Sequence, residues 1–215
     1  MPTHTMRIRI ISDHVCPWCF IGKRQLDQAL TRIPELEVQL VWEPFFLDPD
    51  LPREGMDRRS YLTMKFGHPE AMRGIRGRLE EAASGLGLSF ARPGAEHRPH
   101  TMNAHRITHW AREGAQQHAL ADAIFCAYFE RAENIGDPDL LAELAADVGM
   151  DRAQVRQRLA GSEDEALIEE RARDNRSGGV GGVPCYDLEG FMLPGAQDPE
   201  TIAQLLRRIL RKRES

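Results

Sequence analysis

The chain has 215 residues, four cysteines and a net charge of −5, from 28 basic and 33 acidic side chains. A chain of this length can bury a substantial core, and so few cysteines do not make a disulfide scaffold. Mild acidity argues against a general nucleic-acid or anionic-membrane binder, and no apolar run approaches membrane-spanning length, so a cytoplasmic protein with reduced thiols is expected.

Residues Arg7 to Ser12 are short, branched and largely apolar, which predicts a buried strand followed by a turn at Asp13-His14-Val15. Next comes Cys16-Pro17-Trp18-Cys19, placed where strand character gives way to a helical pattern. Two cysteines at this spacing can close a small disulfide ring, and beside a strand-helix unit they read as a redox pair. Cys16 falls at the helix N-terminus, where unpaired N–H groups and the positive end of the helix dipole favour a thiolate, so it is the candidate nucleophile. Cys19, one turn further in and less exposed, would attack the mixed disulfide that Cys16 forms. The competing reading is half a zinc site or two idle core thiols. It is disfavoured because neither Cys126 nor Cys185 has a cysteine partner at motif spacing. His14 either modulates the Cys16 thiol, as an imidazolium or a proton relay, or is solvated.

The helix is expected over Pro17 to Arg32, with proline in its first turn, Phe20, Leu26, Ala29, Leu30 and Ile33 facing inward, and Pro34 closing it. Val38, Leu40 and Trp42 alternate with polar or outward positions, giving a second strand ended by Pro44 and hence a parallel β-α-β unit. From Met56 to Asn175 the periodicity is helical. Met72, Ile75, Leu79 and Ala82 mark one helix, stopped by Gly85 and Gly87; an irregular stretch, Phe90 to His100, precedes helices over Thr101 to Arg112 and Gln116 to Ala132. Asp137 and Pro138 open the next, Gly149 ends it, Asp151 starts a short one, and Ser162 to Glu165 reads as a capping box. His105 and His109 are spaced to share a helix face, with His97 and His100 upstream. The arrangement lacks a zincin glutamate, so packing or hydrogen bonding near the cleft is expected and no metal is assigned.

The glycine run 178 to 182 lacks the lysine of a phosphate loop and precedes a strand. Val183 to Leu188 and Phe191 to Leu193, separated by Glu189-Gly190, form a hairpin pattern. Asp198-Pro199 then caps an amphipathic helix whose basic end, Arg207 to Arg213, suits the helix dipole. The order is β-α-β, a helical block, then β-β-α. It predicts an α/β, thioredoxin-like fold with a large all-α insertion between the two halves. Residues 1–50 and 176–215 would form the discontinuous thioredoxin-like domain, and 51–175 the helical insertion.

Cys-Pro-Trp-Cys followed by Phe20 to Arg24, then Trp42-Glu43-Pro44-Phe45, Thr101 to Arg106, Gly182-Val183-Pro184 and Gly195-Ala196-Gln197 together resemble the FrnE-like branch of the DsbA thioredoxin-fold family. The resemblance implies thiol-disulfide oxidoreductase activity and a cis peptide bond before Pro184. It also implies kinship with kappa-class glutathione transferases and 2-hydroxychromene-2-carboxylate isomerases, which bind glutathione and typically carry serine at the position of Cys16. The chain departs from the pattern at His100 and at Cys185, and Cys185 would be a third thiol near the pair or a small apolar strand residue.

The expected activity is therefore disulfide exchange, with Cys16 attacking and Cys19 resolving. Pro17, Trp18, Val183 and Pro184 would contact substrate, the backbone beside Val183 would pair with an extended peptide or glutathione, and His14, His105 and Cys185 would modulate. No bound cofactor is expected, and glutathione enters as a co-substrate. Partners would be protein thiols or disulfides or glutathione, not nucleic acid or membrane, with a homodimer left open. The alternative is a glutathione-dependent isomerase or transferase acting on an aromatic or polyketide substrate, and a third reading is a peptide-binding adaptor without turnover. Paired cysteines favour the first.

Overall fold

The computed structural model describes residues 5–67, 69–90, 96–111 and 116–213, excluding the side chains of 69–72. Met72 of the expected stripe, residues 91–95 of the irregular stretch and the expected helix end at Arg112 therefore lie outside the described residues. The first unit is β1 (Thr5–Ser12), α1 (Pro17–Thr31) and β2 (Glu37–Pro44), and the last is β5 (Cys185–Leu188), β6 (Phe191–Pro194) and α9 (Pro199–Arg213). Their strands form one sheet in the order β2-β1-β5-β6. β1 runs parallel to β2 and antiparallel to β5, and β5 and β6 form the hairpin. This is the thioredoxin-like α/β fold, with a mainly helical segment between the halves.

That segment contains β3 (Met56–Asp57), α2 (Arg58–Phe66), α3 (Pro69–Ser84), β4 (His97–Arg98), α4 (Met102–Trp110), α5 (Gln116–Phe129), α6 (Pro138–Asp147), α7 (Arg152–Leu159) and α8 (Glu165–Ser177). It is not purely helical, as the sequence pattern suggested. Met56 pairs with Arg98 and Asp57 with His97 in a two-residue ladder, too short to leave an alternation in sequence. The expected capping box is also corrected: Asp164 stands at the N-cap of α8 in the left-handed region, at φ 62°, and caps nothing with its side chain. Asp137 and Asp151 cap as expected, accepting from the N–H groups of Asp139 and Gln154.

β1 is central, and Met6, Ile8 and Ile10 meet Phe20, Leu26 and Ala29 of α1 and Ile202, Ala203 and Leu206 of α9 on one face. Ala121 and Phe125 of α5 join that same cluster. The opposite face of α5, through Leu120, Ile124 and Tyr128, packs on Ile107, Leu141, Leu144 and Val155 in a second cluster. A helix buried on two sides shows little amphipathic pattern, as α5 does. Among the described residues no helix is long and apolar enough to cross a membrane.

Arg106 in α4 is fully buried. Its guanidinium donates to the carbonyls of Glu163 at 2.7 Å, Arg158 at 2.9 Å and Gly161 at 2.8 Å, and to Asn103 Oδ1 at 2.9 Å. One side chain thus braces the turn between α7 and α8: the Arg158 carbonyl also accepts from the Gly161 N–H at 3.2 Å, and the Glu163 and Gly161 carbonyls rely on Arg106. Arg106→Leu should lower the unfolding free energy by at least about 3 kcal/mol in urea titrations, because each stranded acceptor carries its own desolvation cost. Arg152→Leu, which removes only an exposed ion pair with Glu143, should change stability by less than about 1 kcal/mol.

Candidate redox site

Cys16 is the N-cap residue of α1, and Pro17 occupies the first helical position, where its missing N–H costs nothing. The Cys16 N–H donates to the Asp13 carbonyl at 3.0 Å, while the Cys16 carbonyl accepts from Cys19 N at 3.0 Å and Phe20 N at 3.3 Å. One helical turn therefore brings both thiols to the end of β1. Cys16 is 4% and Cys19 2% exposed, and all four cysteines are free thiols. The Cys16 thiol donates to the Val183 carbonyl at 3.6 Å, and the bond from Val183 to Pro184 is cis. Trp18 is half-buried and packs on the main core.

Gly22 lets the turn lie this close. A Cβ there would stand 2.3 Å from the Tyr186 hydroxyl and 2.9 Å from Pro184 Cγ. Both approaches are too short for a real side chain, so the absence of one seats β5 and its leading proline against α1. Burial, reinforced by the adjacent Cys16, pushes the Cys19 thiol well above its ordinary range, and the Ser12 hydroxyl beside it works weakly the other way. Burial likewise raises the Tyr186 phenol, whose hydroxyl has no hydrogen-bond partner among the described residues.

The turn after β1 carries two buried ionisable groups. Burial alone would raise the Asp13 carboxyl. The contact with His105, the field of Arg98 and the Leu47 N–H outweigh it and hold Asp13 at about 2. The Leu47 N–H lies 2.9 Å from Asp13 Oδ2, and His105 Nε2 lies 3.6 Å from Oδ1, an ion-pair separation too long for a hydrogen bond. His14 is 2% exposed, so the solvated alternative is wrong. Burial and the neighbouring His105 lower it to about 3, leaving it neutral near pH 7, so it is not an imidazolium beside the dithiol either. Its ring lies 4.9 Å from that of His105 and 5.4 Å from that of Phe125. Thr108 Oγ1 donates to the Ala104 carbonyl at 2.8 Å and lies 3.1 Å from His14 Nε2. A hydroxyl has one proton, so Thr108 accepts here, His14 carries its proton on Nε2, and Nδ1 is left bare.

Cys185 does not join the pair. Side chains alternate along a strand, and Tyr186 takes the face toward Cys16 and Cys19 while Cys185 packs with Ile11, Phe45 and Val180 on the other. Of the other histidines, His109 lines a small cavity together with His14 and His105, while His97 contacts the Glu54 carbonyl at 2.8 Å and His100 accepts from the Met102 N–H at 3.1 Å. Sequence reasoning left out Ser12, Asp13, Gly22, Glu43, Thr108 and Tyr186. Asp13 and Ser12 adjoin the motif and could have been flagged by that alone, whereas Thr108 is 94 residues from His14 and gives no local signal. An open cleft of about 350 Å³ lies between Phe46, Leu51, Arg53, His100, Met102, Arg173 and Arg176.

Residues 7–207 match the family model described as the DSBA-like thioredoxin domain. A solved structure of a probable DsbA oxidoreductase from Streptomyces coelicolor is 30% identical, with a TM-score of 0.83, and the alignment covers 94% of this chain and 89% of that one. Two more distant structures share the fold. A 2-hydroxychromene-2-carboxylate isomerase is 14% identical with a TM-score of 0.75, covering 97% of this chain and 98% of that one. The cytosolic disulfide reductase DsbM from Pseudomonas aeruginosa, solved with glutathione, is 18% identical with a TM-score of 0.62, covering 95% and 99%.

Both depressed groups beside the dithiol make acid destabilising. The folded pKa of His14 lies below its ordinary 6.5, so its contribution is present above about pH 6.5 and lost as pH falls toward 3. That of Asp13, lowered from 3.8, is present above about pH 4 and lost as pH falls through 2. Urea unfolding from pH 7 to pH 4 should show a falling midpoint in the unaltered protein. His14→Phe should flatten that fall while leaving the loss below pH 4.

Proposed function

The chain belongs to the DSBA-like thioredoxin family, and on that premise we propose that it is a thiol-disulfide oxidoreductase in which Cys16 attacks and Cys19 resolves. The observation that carries this reading is the pairing of two thiols across one turn, with Cys16 at the helix start against Val183 and Cys19 deeper, its thiol raised by burial. A helix N-terminus stabilises a thiolate on the residue that caps it. Cys16 attacks a substrate disulfide, one substrate sulfur leaves with the electron pair, and a mixed disulfide remains on Cys16. Cys19 then attacks the Cys16 sulfur, which releases the second substrate thiol and closes the Cys16-Cys19 bond. Run backwards, the same steps oxidise a dithiol.

An incoming chain has to displace the contact between Cys16 and the Val183 carbonyl, and an extended peptide or glutathione lying beside Val183 offers an N–H to that carbonyl in exchange. Pro17, Trp18 and Pro184 would line the same approach. Glutathione is the small thiol we assign as co-substrate, supported by the fold shared with a cytosolic disulfide reductase solved with glutathione. The same likeness supports a cytoplasmic site of action. A glutathione-dependent isomerase on this fold would need one activated group at position 16 and has no use for a second thiol held in resolving position, so the dithiol reading is preferred.

The deciding experiment follows insulin reduction and glutathione-disulfide exchange by purified protein. Cys19→Ser should trap a mixed disulfide on Cys16, visible as a glutathione adduct by mass spectrometry, and Cys16→Ser should form none. Absence of disulfide exchange by the unaltered protein, with glutathione bound noncovalently, would overturn the assignment.

A further inference from the structure

The open cleft between α8 and the segment after β2 carries side chains that the exchange chemistry does not use. Its volume, about 350 Å³, is that of a small-molecule site. Phe46, Leu51, Met102 and Ala172 give it apolar walls, and Arg53, Arg173 and Arg176 give it charge. Arg53 is committed, at 2.7 Å from Glu169 and 3.3 Å from Glu165. The other two have no carboxylate partner among the described residues: Arg176 donates to the Phe46 carbonyl at 2.6 Å and lies over the Phe45 ring at 4.3 Å, and Arg173 is exposed. Three residues apart on one helix face, they repel each other until an anion lies between them. The dipole of α8 accounts for a cation in its last turn, where Arg176 stands, but not for Arg173.

His100 is a second, independent sign. It lines the same cleft and is 9% exposed. Its Nδ1 accepts from the Met102 N–H, so the ring is neutral and its proton sits on Nε2. That N–H has no acceptor among the described residues, although buried polar groups ordinarily have one. Two uncompensated guanidiniums and a neutral N–H suit a phosphate, with about two negative charges and three acceptor oxygens, better than a carboxylate. The cleft and the dithiol also share one end of the sheet. Ser12 stands opposite Pro44 in the β1 and β2 ladder; the Cys16 turn follows the first and the cleft segment follows the second. Phe45, beneath Arg176, packs with Val183, whose carbonyl accepts from the Cys16 thiol.

We propose that this cleft is a phosphate subsite, which holds the phosphomonoester of a small disulfide while its sulfurs meet Cys16. Arg173 and Arg176 take the phosphate oxygens, the His100 Nε2–H donates to one of them, and the apolar walls cover the chain that joins phosphate to sulfur. The inference names the class of the second substrate, glutathione being the co-substrate, and to that extent rests on the dithiol reading above. Binding of phosphate in the cleft does not depend on the thiols.

The test compares two disulfides that differ only in phosphate, 4′-phosphopantethine and pantethine, with glutathione disulfide as the carboxylate-bearing control. The full-length protein should reduce phosphopantethine with a kcat/KM at least about tenfold above that for pantethine, the difference lying in KM, as charge-assisted hydrogen bonds to a bound group predict. Arg173→Gln should remove most of that preference. Arg208→Gln, an equal charge change at an exposed position of α9, should leave it. Inorganic phosphate, titrated calorimetrically at constant ionic strength, should bind the Cys16→Ser/Cys19→Ser protein, and bind it more weakly once Arg173→Gln is added. Equal kcat/KM for the two pantethines, or a preference that survives Arg173→Gln, overturns the subsite. A kcat/KM for glutathione disulfide that falls with Arg173→Gln as far as that for phosphopantethine assigns the cleft to carboxylates and overturns it too. No exchange of any disulfide removes the dithiol reading, a different result from exchange that ignores phosphate, and the calorimetric titration still decides the cleft.

Discussion

A thiol buried as deeply as Cys19 is inert until something takes its proton, and much of the surrounding architecture follows from that constraint. On the proposed reading an external disulfide meets Cys16 first, and Cys19 acts only on a bond already formed there. The same burial raises the Cys19 thiol. Ser12 stands at the last position of β1, and β1 is central in the sheet. The two thiols thus have different surroundings: Cys16 caps α1, and Cys19 lies one turn further along it.

The helical segment forms part of those surroundings and is not a detachable lid. Lys23 of α1 is 5% exposed and pairs with Asp27 at 2.7 Å and with Asp122 of α5 at 3.0 Å. His118 of α5 contacts Asp27 Oδ1 at 2.8 Å and, through its other nitrogen, accepts from Trp42 Nε1 at 3.2 Å. Gln117 accepts from the Trp42 N–H at 2.9 Å and donates to the Thr108 carbonyl at 2.9 Å. Buried charges such as Lys23 contribute more to fixing one arrangement than to net stability, since the desolvation of both partners offsets much of their attraction. The outcome is that α1, α5, β2 and α4 hold fixed positions around His14, and Thr108 can set the tautomer of a residue on the opposite side of the junction.

What could be read in the sequence was whatever repeats locally. The alternation of Val38, Leu40 and Trp42, the hairpin turn at Glu189-Gly190 and the aspartate-capped helices all appear where periodicity and turn chemistry put them, with Glu189 and Gly190 both at positive φ. The Cys16-x-x-Cys19 spacing and its place at a strand-helix junction were equally legible. The state of His14 was not, because burial by Trp42, His105 and Phe125 is a property of contacts across 28 to 111 positions, and nothing near residue 14 encodes it. The burial of Lys23 is a similar case. Asp27 is visible at the i+4 spacing, but Asp122 is the partner that draws the ammonium inward toward α5.

Cys185 shows how a single register decides the chemistry available. In the β1 and β5 ladder Ile11 stands opposite Cys185 and Ile10 opposite Tyr186. Slipping β5 by one residue would turn each of these side chains to the other face, bringing a third thiol toward Cys16 and Cys19 and forcing a phenol into the cluster of Ile11, Phe45 and Val180. Two features oppose the slip. The two-residue turn at Glu189-Gly190 sets the pairing of β5 with β6, with the Gly190 N–H held by Asp187 Oδ1 at 2.6 Å. At the other end, the missing side chain at Gly22 leaves a notch that the Tyr186 hydroxyl and Pro184 fill, and a shifted strand would present Cys185 there, too short to fill it. The glycine that admits Pro184 to the site therefore also favours the register that keeps the third cysteine on the other face.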